Sequence, residues 1–188
     1  MNRRQFLRGA FAIATAPLIL PARVLGLNGA VAPSNRIAFG IIGVGNRARH
    51  VLPSFLAQRE LVFVAVSDCR ADRLKSAKEL IDQHYGNADC RMYADFRELL
   101  AQKDIDAVFI ATGDRWHATA SIYAARAGKD IYSEKPISMC ISEGRALVEA
   151  CRRYGTVYQA GTQRRSVASY RFAVEMVRRG KIGRLHTV

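Results

Sequence analysis

The chain has 188 residues, enough for one domain with a sizeable core, and its 49% apolar and 24% charged content is that of a globular protein. No segment is long and apolar enough to be assigned as a membrane span. The formal charge of +13 invites a nucleic-acid reading, but residues 33–151 carry 16 basic and 15 acidic groups, so the excess sits at the two ends. Residues 1–32 hold four arginines and no acid, and residues 152–188 hold nine basic groups against Glu175 alone. Nucleic-acid surfaces interleave basic residues with aromatics on one face, so this distribution argues against such a partner.

The first segment reads as an address. Arg3 and Arg4 precede Phe6, Leu7 and Arg8, and a short apolar stretch from Ala10 to Leu20 follows. A charged start and a short apolar run make a bacterial export signal. The adjacent arginines followed by Phe-Leu resemble the twin-arginine type, which carries folded proteins to the periplasm. A basic amphipathic helix is the competing reading, and Pro17 within the apolar run argues against it. Ala30-Val31-Ala32 offers a small-residue cleavage site but leaves Pro33 at the new N-terminus, so the cut site and an uncleaved membrane anchor both stay open. Residues 1–32 are therefore set apart from the fold.

From Arg36 onward, apolar runs alternate with helical periodicity. RIAFGIIG, LVFVAVSD, DAVFIAT, DIYS and TVYQAG read as five buried strands. Between them lie helices. The segment after LVFVAVSD places Leu74, Ala77, Leu80, Ile81 and His84 on one face and closes at Gly86. Asp95, with Glu98 three residues on, starts the next helix in the manner of a capping box. An alanine-rich helix begins near His117, another begins with Ser142 as cap, and a last one begins with Ser166 as cap and stops at Gly180. Such alternation predicts an α/β fold, a Rossmann-type doubly wound parallel sheet over residues 33–163, with ligands bound beyond the carboxyl ends of the strands. Residues 164–188 hold the last of these helices as a connecting segment.

The predicted strand ends carry the chemistry. After the first comes GVGNRA, with Gly43, Val44, Gly45, Asn46 and Arg47 leading to Ala48 in a G-x-G-x-x-A pattern. In a dinucleotide site the first glycine makes the turn, the second admits the pyrophosphate, and the third small residue lets helix and strand pack closely. Glycines at a strand–helix turn also serve the turn alone. Pro53 falls in the following helix and is expected to kink or shorten it. Asp68 ends the second strand 23 residues after Gly45, near the spacing of an acid that binds ribose hydroxyls. It equally suits a helix N-cap. An acid here repels a 2′-phosphate and favours NAD, whereas Arg70 can pair with that phosphate and favour NADP. Thr112 and His117 follow the third strand, and His117 reads either as a site residue or as a surface histidine at a helix start. Glu134 and Lys135 precede Pro136 after the fourth strand, and Gln163 follows the fifth. Cys69, Cys90, Cys140 and Cys151 form no CxxC pair, and no histidine stands at zinc spacing from them, so four free thiols and no metal are expected.

GIIGVGNRA, SDCRADR, DIDAVFIATGDRWH, GKDIYSEKPIS and GTQRRS together resemble the Gfo/Idh/MocA oxidoreductases from about Arg36 to the end. The resemblance implies NAD or NADP, a small sugar, cyclitol or related polyol as substrate, and a second α/β domain that supplies the substrate wall and the contacts of a homo-oligomer. It makes Lys135, in the Glu-Lys-Pro triplet, the catalytic candidate, working with a histidine of the second domain. By that resemblance residues 164–188 are the connecting helix and the start of the second, truncated α/β domain. The chain breaks off at GKIGRLHTV, where that domain begins, and His186 comes too early to be that histidine. Three functions fit: a dehydrogenase, a glycosidase that oxidises its sugar transiently with bound NAD, and a dinucleotide-binding fragment without catalysis.

Overall fold

The computed structural model describes residues 31–187. The export-signal reading of residues 1–32 falls almost wholly outside them. Two units are distinguished, residues 1–36 and 37–188, and the second holds the fold.

Six parallel strands form one sheet: β1 (Ile37–Ile42), β2 (Leu61–Ser67), β3 (Arg91–Tyr93), β4 (Ala107–Ile110), β5 (Asp130–Ser133) and β6 (Tyr158–Ala160). Their spatial order is β3-β2-β1-β4-β5-β6. This is the doubly wound order, in which the chain reverses direction across the sheet between β1 and β4. Five of the strands are those predicted. The sixth, β3, pairs with Ala65–Ser67 of β2 at the sheet edge.

Among the described residues, five α-helices connect the strands, α1 (Asn46–Leu56), α2 (Ala71–Tyr85), α3 (Phe96–Leu100), α4 (His117–Arg126) and α5 (Ile141–Tyr154), and a sixth, α6 (Ala168–Arg178), follows the last strand. Side chains alternate across a strand, so β1 sends Phe39 and Ile41 to one face and Ile42 to the other. The first face packs against Val51, Leu52, Leu74 and Ile81 of α1 and α2. The second packs against Leu99, Ala120, Ala124 and Ala150 of α3, α4 and α5. The alanine-rich sequence of α4 thus lets that helix lie close to the sheet. A register shift where Gly40 pairs with Ala65 leaves Val64 as an extra residue in β2.

Several details differ from the sequence reading. α1 runs through Pro53 and ends three residues later at Leu56. Residue 84 is exposed, and Tyr85 takes its place on the inner side, its hydroxyl accepting from the Phe63 amide at 3.1 Å. α5 starts before Ser142, with Cys140 at the N-cap and Glu143 accepting from the Met139 amide at 2.9 Å. Ser166 ends a short 3₁₀ turn, and Val167 holds the N-cap of α6. Asp95 does cap α3, accepting from the Arg97 amide. No described helix is long and apolar enough to cross a membrane.

Candidate functional site

The backbone ladder continues one residue past the strands: Gly43 N–H donates to Ser67 O, Ala111 N–H to Ile42 O, and Glu134 N–H to Ile110 O. The polar turns therefore leave the sheet along one edge. Between them lies a cleft of about 480 Å³ at the point where the strand order reverses, bounded by the turns after β1, β2 and β4.

Gly43 makes the first turn with φ +84°, and a Cβ there would sit 2.7 Å from the Thr112 backbone nitrogen. Only glycine fits, because both the dihedral and the neighbouring chain exclude a side chain. Gly45 differs. It is the N-cap of α1 with an ordinary φ of −71°, and no side chain caps the helix. A Cβ at Gly45 would meet only Arg73 Nη1, at 3.5 Å. The first amides of α1 thus remain without intrahelical partners beside an open glycine. Ala48 is buried and lets the helix lie close to β1. Val44 points into the core, and its N–H donates to Asp68 Oδ2 at 2.9 Å.

Asp68 therefore fixes the glycine turn as well as lining the cleft. Its other oxygen, Oδ1, accepts from the Arg70 N–H at 2.9 Å. It is not the N-cap of α2, a position held by Arg70. The Arg70 guanidinium forms a fork with Asp72, Nε to Oδ1 at 3.0 Å and Nη2 to Oδ2 at 2.7 Å. This pairing holds the Asp72 carboxyl below the ordinary carboxylate range. Cys69 and Arg73 line the cleft beside Asp68.

The opposite wall comes from Thr112, Gly113 and Trp116, with the Phe96 ring tilted edge-on to Trp116 at a centroid distance of 6.3 Å. His117 is not a surface residue. Its ring is buried, with Nδ1 2.6 Å from Pro136 O and Nε2 3.2 Å from Thr112 O. It therefore joins the turn after β4 to the turn after β5. Both acceptors are carbonyls, so a neutral ring donates to one of them at a time.

The third feature is the Glu134-Lys135-Pro136 turn. The Lys135–Pro136 peptide is cis. Glu134 is buried at 2% exposure, and its Oε1 accepts from Arg47 Nε at 2.8 Å and from Gln163 Nε2. Its Oε2 is buried without a hydrogen-bond partner. The Lys135 side chain is exposed and makes no ion pair with a described residue. The burial expected around a working lysine is thus not supplied by the described residues. Burial, and after it the Glu134 charge, raises the Tyr132 phenol above its ordinary pKa. Tyr132 floors a second groove on the other side of Arg47, lined also by His50, Phe55 and Gln163.

An uncapped helix after a G-x-G-x-x-A turn, with an acid after β2 in the same cleft, is the arrangement of a Rossmann dinucleotide site. Residues 37–162 match the GFO_IDH_MocA oxidoreductase family, described by its NAD-binding Rossmann fold. The chain belongs to this family. It is 31% identical over 153 residues to the uncharacterized oxidoreductase YrbE of Bacillus subtilis, covering 81% of this chain and 43% of that protein. It is 26% identical over 149 residues to the myo-inositol 2-dehydrogenase of Thermotoga maritima, covering 79% and 43%. Among solved structures, the scyllo-inositol dehydrogenase of Lactobacillus casei with bound NAD(H) and scyllo-inositol superimposes with a TM-score of 0.69 at 28% identity, covering 79% of this chain and 42% of that one. The chain thus spans well under half the length of these relatives.

Of the residues named from sequence, Gly43, Gly45, Asn46, Arg47, Asp68 and Thr112 meet in the one cleft. Glu134 is tied to it through Arg47, and Gln163 bonds Glu134 in turn, while Val44 and His117 support its turns from within. Arg70 is turned to Asp72, and Lys135 stands apart on its own turn. The sequence reading missed Cys69, Arg73 and Phe96 as lining residues. Proximity to Asp68 was the available signal for the first two. Phe96 carried none, since α3 is brought to the cleft only by packing on the sheet.

Proposed function

We propose that this chain is the nucleotide-binding part of an exported NAD(P)-dependent oxidoreductase acting on a sugar, cyclitol or related polyol. The observation that carries it is the open, uncapped start of α1 at Gly45 in the same cleft as Asp68. The fit is physical. The α1 amides and the positive end of that helix would hold the diphosphate. Asp68, already fixed by two backbone amides, would take the ribose hydroxyls. Glu134 Oε2, buried and lacking a donor, is the kind of acceptor that a ligand hydroxyl relieves. Trp116 and Phe96 give the opposite wall an apolar face.

The nicotinamide, when bound, would supply the hydride chemistry. Lys135 is the residue proposed to handle the carbinol proton, from a turn held by the Glu134 amide and by His117 on Pro136. A lysine in that role needs burial or a neighbouring cation. Since the chain spans 43% of its curated relatives' lengths, the covering wall and a partner acid or base are assigned to further protein. The basic, exposed helix α6, with Tyr170, Phe172 and Val174 uncovered, is a surface suited to meet it. The Arg3-Arg4 segment would direct export of the folded, cofactor-loaded protein.

Calorimetric titration of the full chain with NAD and NADP tests the reading, followed by assay of a polyol panel. Saturable binding of at least one nucleotide, with slow or no turnover by this chain alone, is expected. Failure to bind either overturns the proposal, and rapid dehydrogenase turnover would overturn the assignment of the substrate wall to further protein.

A further inference from the structure

We infer that Asp72 sets a preference for NAD over NADP by cancelling the charge of Arg70; this rests on the cleft being a dinucleotide site. A 2′-phosphate would bring two negative charges to the Asp68 end of the cleft, where a carboxylate already stands. Tolerating it requires a cation beside the ribose. Arg70 is the candidate by position, two residues past Asp68 and bound to it through its own backbone N–H at 2.9 Å. Its guanidinium, however, is spent on Asp72 in a two-point fork of 3.0 and 2.7 Å. Neither residue lines the cleft, whereas Asp68, Cys69 and Arg73 do. Arg73 is the other cation of this segment, and it leans toward the opposite end of the site. Its Nη1 lies 3.5 Å from where a Gly45 Cβ would be, over the glycine turn and the start of α1. The two arginines are thus sorted: Arg73 toward the diphosphate end, Arg70 neutralised at the ribose end.

The Arg70–Asp72 pair is exposed, so it holds the guanidinium only weakly. Asp72 acts chiefly by removing net positive charge. In a water-like dielectric, taking a unit negative charge from about 6 Å of a doubly charged phosphate tightens binding by about tenfold.

The test uses the full chain, with the fluorescence of Trp116, the single tryptophan and a lining residue of the cleft, as the binding signal. NAD and NADP are titrated into the native protein, Asp72→Asn, and the double variant Arg70→Ala/Asp72→Asn. The native protein is expected to bind NAD the more tightly. Asp72→Asn should tighten NADP about tenfold while leaving NAD within about twofold, which also reports that the variant is folded. The double variant should lose the gain. Equal native affinities, an unchanged NADP affinity in Asp72→Asn, or a gain that survives loss of Arg70 would each overturn the inference while leaving the cleft assignment standing. Binding of neither nucleotide by the native protein overturns the cleft assignment and the inference with it.

Discussion

Arg47 Nε donates to Glu134 Oε1 at 2.8 Å, joining the first turn of α1 to the Glu-Lys-Pro turn across 87 residues of sequence. The two partners are unequal. Glu134 is nearly closed to solvent, while the Arg47 side chain is 40% exposed. Removing Arg47 takes the countercharge from a buried carboxylate and leaves it only the neutral Gln163 amide as donor, whereas removing Glu134 frees a guanidinium that water can solvate. Arg47→Met is therefore expected to destabilise by about 2–3 kcal/mol and Glu134→Ala by about 1 kcal/mol less. Urea unfolding without nucleotide measures both, and equal losses would show that the carboxylate is not dependent on Arg47.

The two glycines of the turn make opposite predictions. Gly43→Ala forces a side chain onto a φ of +84° and into the Thr112 backbone at 2.7 Å. A loss of about 3 kcal/mol or more is expected, read as a collapse of the melting temperature. Gly45→Ala meets only the mobile end of Arg73. Stability should change by less than about 1 kcal/mol, while nucleotide binding falls because the new methyl occupies the approach to α1. Similar stabilities for the two variants would contradict this division of roles.

Thiol labelling should sort the cysteines. Burial pushes the Cys90 thiol up to about 12, so almost none of it is thiolate at pH 8. Cys69 and Cys140 are exposed. Both should react with a thiol reagent while Cys90 waits for unfolding. Saturating NAD should protect Cys69, which lines the cleft, and leave Cys140 unchanged as the internal control. Labelling of Cys69 unaffected by bound nucleotide would place the nucleotide elsewhere.

The acid side of the stability curve has a named contributor. Lys78 and the Cys90 amide hold the Asp82 carboxyl below its usual range, with Oδ2 2.7 Å from the ammonium and Oδ1 3.0 Å from the amide nitrogen. A carboxyl depressed on folding stabilises above its unfolded pKa and loses that contribution as pH falls through the folded value. Stability should therefore drop below about pH 4, and Asp82→Asn should flatten part of that drop. An identical pH profile in the variant would remove Asp82 from the account.

The same cluster explains what was hard to read. Five strands were legible because each is a run of apolar residues between turn signals. β3 is three residues long, lies at the sheet edge and buries none of its side chains fully, so Arg91–Tyr93 carries no apolar run. Lys78 on α2 fixes the chain just before it, donating to the Ala88 and Cys90 carbonyls at 2.8 and 2.7 Å, and the sequence does not announce such a bond. The glycine turn and Asp68 were legible because their spacing is set by one βαβ unit. Local patterns cannot show that Asp68 binds the Val44 amide, that His117 is buried between two carbonyls, or that Arg70 folds back on Asp72. Those relations come from the meeting of turns that only the closed sheet brings together. The helix caps at Ser142 and Ser166 misled because a serine near a helix start resembles a cap even when the helix begins elsewhere.

The most direct measurement is a fluorescence titration of NAD into the native chain and Gly45→Ala, with Trp116 as reporter and melting temperature as the control. A saturable change in the native protein, lost or weakened at least tenfold in a Gly45→Ala variant of unchanged stability, is the predicted result. Absence of binding by the native chain, or equal affinity in a folded Gly45→Ala, would contradict the assignment of this cleft to a dinucleotide.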